Sequence, residues 1–300
     1  MRLLVIGASG FLGAHIRHRA CALGLDVVTA GRSGLPDSPR HRRVDLAADD
    51  PARIAAMLAD VAPDAVVNCA GATVGPPDAL VAANVHGTYA LVKAALLAMT
   101  QARLVHLGSA AEYGCAEPGV PVTEQVAPRP VGMYGMTKLA GTRLVDLAAA
   151  AGLEAVVLRV FNPVGPGAPP TGLPGRLAAE LHRALAHRTD VRLGSLDAVR
   201  DFVDARDVAD AVLAAATAAA LPHPVLNIGS GRGVPVRALV KELLAVSGYT
   251  GTVHEDAPGS ARSPDVPWQQ ADITRATRDL GWRPHRGLAT SLADLWEASA

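Results

Sequence analysis

Five short runs constrain this chain more than any other feature: RLLVIGA at residues 2–8, DVVTAG at 26–31, DAVVNCAG at 64–71, RLVHLGS at 103–109 and EAVVLRVF at 154–161. Each is apolar at successive positions rather than alternate ones, so both faces of each must be covered. The longer Ala-rich segments between them read as the covering helices. Strands alternating with crossover helices make an α/β fold on a parallel sheet. Helix-start signals agree: Asp50 precedes Pro51, and Asp78 precedes an Ala/Leu/Val segment reaching about Met99. With 300 residues, half of them hydrophobic, the chain can bury one large core or two small ones without disulfides or a structural metal.

After Phe161 the sequence changes to NPVGPGAPPTGLPG at 162–175, where Pro and Gly oppose both regular helix and central strand. Beyond it we expect a helix near 177–187, a strand at 191–194, a helix from about Asp207, a strand at 225–229 and helices ending in SLADLWEA. This tail is too fragmented for a second sheet of the first kind. It reads as a smaller unit over the strand ends, with some elements returning to the first sheet.

The net charge is zero, from 28 basic and 28 acidic side chains. Such a chain has no global electrostatic attraction to nucleic acid or to an anionic membrane. Cys21, Cys69 and Cys115 stand singly, without the spacing of a zinc site or the even count of a secreted disulfide framework. No metal is expected, and a reducing cytoplasm fits best. No apolar stretch of roughly 18 residues reads as a membrane span, and the N-terminus offers a strand rather than a signal peptide.

VIGASGFLG at 5–13 sets Gly7, Gly10 and Gly13 in a turn between the first strand and first helix, where a dinucleotide pyrophosphate meets a helix N-terminus. The expected architecture is therefore a Rossmann-type doubly wound parallel sheet. Gly7, Gly10, Phe11, Leu12, Gly13 and, further along, Ala70 are the expected cofactor contacts. The second strand ends Thr29-Ala30-Gly31-Arg32, with Gly where an NAD-specific site usually carries an acid for the ribose hydroxyls. NADPH is favoured over NADH, with Arg32 among its contacts and Asp45 and Leu46 beside the adenine.

Tyr134 and Lys138 stand one helical turn apart on the same face. A nearby ammonium lowers the phenol pKa from about 10, so that Tyr can give a proton to a ketone as hydride arrives. Tyr89 and Lys93 repeat the spacing, so spacing alone does not choose between the pairs. Cys115 has no base beside it and reads as a plain thiol.

With these motifs the chain resembles the extended short-chain dehydrogenase/reductases, the family of nucleotide-sugar epimerases, dehydratases and reductases. NVHGTYALVKAA at 84–95 is similar to the family helix with an active-site Asn, at Asn84, and HLGSAAEYG at 106–114 to its serine strand, with the active Ser at Ser109. Ser109 precedes Tyr134 by 25 residues, the family spacing. The resemblance thus selects Tyr134 and Lys138 and leaves Tyr89 and Lys93 to helix packing and the surface. It implies that Tyr134 exchanges the proton, Ser109 holds the carbonyl oxygen, and Lys138 binds nicotinamide ribose while tuning Tyr134. Asn84 would support a water or a helix geometry that feeds protons to Lys138. Residues 1–165 plus about 199–228 would form the NADP-binding domain, and about 166–198 and 229–300 a smaller α/β substrate-binding domain.

Departures from the family pattern narrow the chemistry. Sugar 4,6-dehydratases carry Asp-Glu after the active Ser or Thr, where this chain has Ala110-Ala111. The epimerase-reductases of the family use a Cys-His pair; the Cys position aligns with Ala111, and His182 falls near the His position. The segments 159–167, 191–211 and 261–284 resemble those of GDP-4-keto-6-deoxymannose reductases and related 4-ketohexose reductases. There Arg200 and Arg262 would clamp the diphosphate as bidentate guanidinium groups, and Asn162 would touch the sugar or diphosphate. The structural alternative pairs Arg200 with Asp201 or Asp204, and Arg262 with Asp265. Asp207 reads as a cap or brace of its helix. The expected function is NADPH-dependent reduction of a nucleotide-linked 4-keto-6-deoxyhexose. Alternatives are a nucleotide-sugar 4-epimerase, a reductase of a polyketide or other natural-product ketone, and a cofactor-sensing binding protein. Family resemblance also points to a homodimer through the helices carrying Asn84 and Tyr134, whose Ala-rich faces permit close packing.

Overall fold

A computed structural model describes residues 1–35, 40–98, 101–257 and 266–299. Seven strands, β1 (Arg2–Ile6), β2 (Asp26–Gly31), β3 (His41–Arg43), β4 (Ala65–Asn68), β5 (Arg103–Ser109), β6 (Ala155–Val160) and β7 (Val225–Ile228), form one sheet. All neighbours are parallel, in the order β7-β6-β5-β4-β1-β2-β3. The five apolar runs supply five of these strands, and the strand expected at 225–229 returns to the edge beside β6. The chain runs outward from β1 to β3 and then back to β4 on the other side of β1. This reversal opens a crevice at the carboxyl ends of β1 and β4, the place where doubly wound sheets bind ligands.

Two cores cover the sheet. Leu3, Val5, Val105 and Leu158 pack with Ile16 of α1 (Phe11–Ala22) and Val208 and Val212 of α7 (Ala205–Thr217). Leu4, Ile6, Val66 and Leu104 pack with α2 (Pro51–Val61), α4 (Gly87–Leu97) and α5 (Met133–Ala150) on the opposite face. A third core joins Leu177 and Leu181 of α6 (Leu173–His187), Leu239 and Leu243 of α8 (Val236–Ser247), and Leu292 and Leu295 of α10 (Leu288–Ala298). The short α9 (Thr274–Leu280) returns to the first core through Ala276, as does Trp282 just beyond it.

Several boundaries differ from expectation. α6 begins at Leu173, inside the Pro/Gly segment, because Pro174 falls in the first turn, where its missing N–H removes no helical bond. Asp204, not Asp207, caps α7, accepting from Arg206 N. Asp207 is buried in the first turn and braces the C-terminal segment through His285 N (3.0 Å) and Arg286 N (2.9 Å). Asp50 caps α2 as expected, through Ala52 N (2.7 Å). Asp78 lies in the first turn of α3 (Pro77–Val81), with Pro76 at the cap, and Met99 lies outside the described residues. α3, a π-helical turn at Ala82–His86 and α4 make one helical run, Pro77–Leu97, that is long and apolar enough to cross a membrane. This corrects the expectation that no such stretch exists. Half of the run is buried within the protein, as in a core helix.

Candidate active site

At the crevice lies a cleft of about 1240 Å³. One wall is the turn between β1 and α1. Gly7 has φ +79°, and a Cβ on it would stand 2.7 Å from Ala70 N; a Cβ on Gly13 would stand 2.2 Å from Gly7 O. No larger residue fits this turn, so backbone N–H groups at the start of α1 stay open to a phosphate. Gly10, Phe11, Leu12, Gly13 and Ala70 line the cleft, and Gly7 lies behind them. The geometry fits a dinucleotide pyrophosphate.

The residues expected beside the adenosine lie at the tips of β2 and β3. Arg32 is exposed just past β2. Leu46 is buried against Gly87, and the Asp45 carboxylate accepts from Ala47 N (3.1 Å) in the turn after β3. Neither Arg32, Asp45 nor Leu46 lines the cleft itself. Arg43, which sequence reading passed over, pairs in register with Gly31 and so stands beside the position where an acid is missing. Along this edge Arg40 is engaged by Asp26 and Arg42 by Asp60. Among the described residues Arg32 and Arg43 have no carboxylate partner.

The reactive corner is built where β5, α5 and the π-helical turn meet. Ser109 ends β5, and its Oγ accepts from Ala111 N (3.2 Å), which leaves its hydroxyl hydrogen for another acceptor. Tyr134 and Lys138 share the first turns of α5, and both line the cleft with Ser109. α5 comes this close because residue 135 is Gly: a Cβ there would stand 2.4 Å from Ala111 O. Lys138 Nζ is buried and donates to Leu107 O. Burial lowers its pKa from the ordinary lysine value, and Glu112 opposes that shift. Asn84 is also buried: Oδ1 accepts from Ala72 N (2.9 Å), and Nδ2 donates to Ala72 O (2.9 Å) and Thr137 Oγ1 (3.0 Å). Its side chain thus ties the loop after β4 to α5. Tyr89 is exposed with Lys93 Nζ 5.8 Å from its ring centroid, and neither lines the cleft.

On the far wall Asn162 lines the cleft and donates to Asp201 O (2.8 Å). Arg200 lines it too, held by Val199 O (2.9 Å) and Val266 O (2.6 Å). Neither of the expected carboxylates engages it: Asp201 accepts from Ser230, Gly231 and Ala271, and Asp204 from Arg206 and Ser291. Burial lowers the Arg200 pKa, as expected of a cation without a fixed counter-ion. Arg262 and Asp265 lie outside the described residues. Arg176 and Gln269 also line the cleft. Arg176 escaped notice because the helix was expected to start one residue later, and Gln269 because its bond to Ala110 O (2.9 Å) spans 159 residues of sequence. His182 stacks on Trp296 (3.8 Å) and does not line the cleft. Ala110 and Ala111 do.

Comparison with known proteins identifies the family of the chain. The sequence profile of the NAD dependent epimerase/dehydratase family matches residues 3–229. The chain is 39% identical to a dTDP-6-deoxy-L-talose 4-dehydrogenase (NAD(P)(+)) of Kitasatospora kifunensis, over 100% of this chain and 96% of that protein. It is 28% identical to a GDP-6-deoxy-D-mannose reductase of Pseudomonas aeruginosa, over 99% and 97%. A solved structure of the Thermus thermophilus UDP-glucose 4-epimerase with NAD superposes with a TM-score of 0.86 at 26% identity, over 100% and 99%.

Proposed function

The chain belongs to the NAD dependent epimerase/dehydratase family, and from that premise we propose that this enzyme is an NADPH-dependent reductase of the 4-keto group of a nucleotide-linked 4-keto-6-deoxyhexose. The carrying observation is a single cleft that joins a dinucleotide cradle, the Ser109–Tyr134–Lys138 corner and two cleft-lining arginines, Arg176 and Arg200. A bound nicotinamide cofactor supplies a hydride to the carbonyl carbon. Tyr134 gives its phenolic proton to the carbonyl oxygen, while Ser109, with one lone pair already taken by Ala111 N, donates its hydroxyl hydrogen to the same oxygen. Lys138 stabilises the tyrosinate that remains. Arg176 and Arg200 meet the diphosphate, and Asn162 the sugar.

Reduction is favoured over dehydration and over epimerisation by a Cys-His pair because Ala110 and Ala111 offer no second acid or base, and His182 is engaged elsewhere. A 4-dehydrogenase of a 6-deoxyhexose, run in reverse, is a 4-ketoreductase, so the relative from Kitasatospora supports the same chemistry and a dTDP-linked substrate. Gly31 and the two arginines beside it support NADPH over NADH. The test follows absorbance at 340 nm with dTDP- and GDP-linked 4-keto-6-deoxyhexoses offered separately. NADPH oxidation with one of them, lost in Tyr134→Phe, is expected; no oxidation with either overturns the substrate class.

The structural likeness to a 4-epimerase favours a second reading, in which the cofactor is retained and no net reduction occurs. Purified protein carrying one NAD per chain, with no consumption of added NADPH, would establish it. We also assign the sheet and its helices to cofactor binding and the third core to substrate binding. The exposed apolar side chains Leu96 and Leu97 on α4 and Met136 and Leu147 on α5 support a homodimer through those helices, and the unbridged thiols of Cys21 and Cys69 a reducing cytoplasm.

A further inference from the structure

Behind the reactive corner lies a carboxylate that the reaction above does not use. Glu112 ends the short 3-10 turn after β5 and is fully buried. Its Oε1 accepts from Ser109 N (2.8 Å), and its Oε2 accepts from Arg159 Nε (2.8 Å) on β6 and Thr142 Oγ1 (2.9 Å) on α5. Thr142 is one turn past Lys138 on the same helical face. Gly108 makes the room, since a Cβ there would stand 2.7 Å from Oε1. Arg159 lies over the Tyr113 ring at 4.5 Å, and the Tyr113 hydroxyl donates to Asn227 Oδ1 (2.7 Å) on β7. One carboxylate therefore fastens the serine strand, the Tyr-Lys helix and β6 to one another. Stability alone does not explain it, because apolar residues of similar volume commonly replace a buried ion pair without loss.

We propose that Glu112 is a positioning residue of the reduction, fixing the Ser109 main chain and balancing the charge on Lys138. The inference rests on the reading of Tyr134 as proton donor. The titratable groups that face Lys138 are Glu112, Cys69 from the end of β4, His106 on β5 and Tyr134 on its own helix. Desolvation pushes the half-buried Cys69 thiol up to about 12, and burial together with the Lys138 charge holds the His106 imidazole neutral. Glu112 is then the negative partner among them, ion-paired with Arg159.

The sign of the effect follows. Removing that charge makes the potential at Tyr134 more positive, so the phenol loses its proton at lower pH. Ketone reduction needs the protonated phenol, so the alkaline limb of the pH–kcat profile should move down. For Glu112→Gln we expect kcat to fall about tenfold, KM for NADPH to stay within about twofold, and the limb to move down by about one pH unit. Thr142→Val breaks one bond and leaves every charge, so it should lower kcat without moving the limb. Wild-type kcat and an unmoved limb in Glu112→Gln, beside a dead Tyr134→Phe, would overturn the role of Glu112 alone. If Glu112→Gln does not fold, wild-type kcat in Thr142→Val overturns it. Wild-type activity in Tyr134→Phe would remove the donor, and this role of Glu112 with it.

Discussion

Ser109 and Arg43 illustrate two ways in which a single residue acquires a role. The Ser109 hydroxyl is oriented within its own turn, accepting from Ala111 N. Ser109→Ala should therefore lower kcat about a hundredfold, the usual effect of losing one donor to a developing oxyanion, while leaving the KM for NADPH unchanged; steady-state rates with a fixed ketone test this. Arg43 acquires its place only through pairing of β3 with β2, which sets it beside Gly31 although no local spacing links the two. That is why Gly31 and Arg32 were legible in the sequence and Arg43 was not. If Arg32 and Arg43 share the extra phosphate of NADPH, Arg32→Ala and Arg43→Ala should each lower kcat/KM for NADPH about tenfold and leave that for NADH nearly unchanged. Equal losses with both cofactors would remove the basis for NADPH preference. Glu112 was illegible for a related reason: its partners come from β5, β6 and α5, and no local spacing brings them together.

Elements that follow local rules were easiest to foresee. The inner strands of the sheet could be read because burial on both faces leaves an unbroken apolar signature, which the edge strand β3, His41-Arg42-Arg43, lacks, and α2 because Asp50-Pro51 is a complete start signal. The π-helical turn at Ala82–His86 carries no such mark; it sits where tertiary bonds from Asn84 to Ala72 and Thr137 hold the helix. α5 shows local and tertiary preference in direct conflict. Ala at position 135 would favour the helix by about 1 kcal/mol relative to Gly. Against that stands Ala111 O, 2.4 Å from where the Cβ would lie, a main-chain atom that cannot turn aside. Overpacking of this kind costs about 1–3 kcal/mol, so the clash should win. Gly135→Ala is expected to lower the urea midpoint and also kcat, since α5 must move away from the Ser109 turn; an unchanged midpoint would show that the helix and turn are less tightly docked than described.

At the scale of the whole molecule, the cleft depends on how the third core is held against the sheet. Asp204 is central to that attachment. It caps α7 through Arg206 N (2.8 Å), pairs with the Arg206 guanidinium (2.7 Å) and accepts from Ser291 Oγ (2.6 Å) on α10, while Arg206 reaches Asp294 (2.6 Å) on the same helix. Burial pushes the Asp204 carboxyl up, but the bonds from Arg206 and Ser291 outweigh it and leave its pKa below the ordinary carboxylate value. A depressed folded-state pKa stabilises the protein above the unfolded carboxylate's pKa, and that stabilisation is lost as pH falls through the folded value. Asp204→Asn leaves Arg206 partly uncompensated and should cost about 3 kcal/mol at pH 7. The difference from wild type should shrink on acidification below about pH 4, because the carboxyl of the unfolded wild-type chain then takes up a proton that folded Asp204 still resists. Thermal unfolding of both proteins between neutral and acid pH tests this, and a constant difference would assign the loss to packing rather than charge. If Arg176 and Arg200, which line the cleft, meet the diphosphate as proposed, a loosened attachment should also raise the KM for the nucleotide sugar more than that for NADPH.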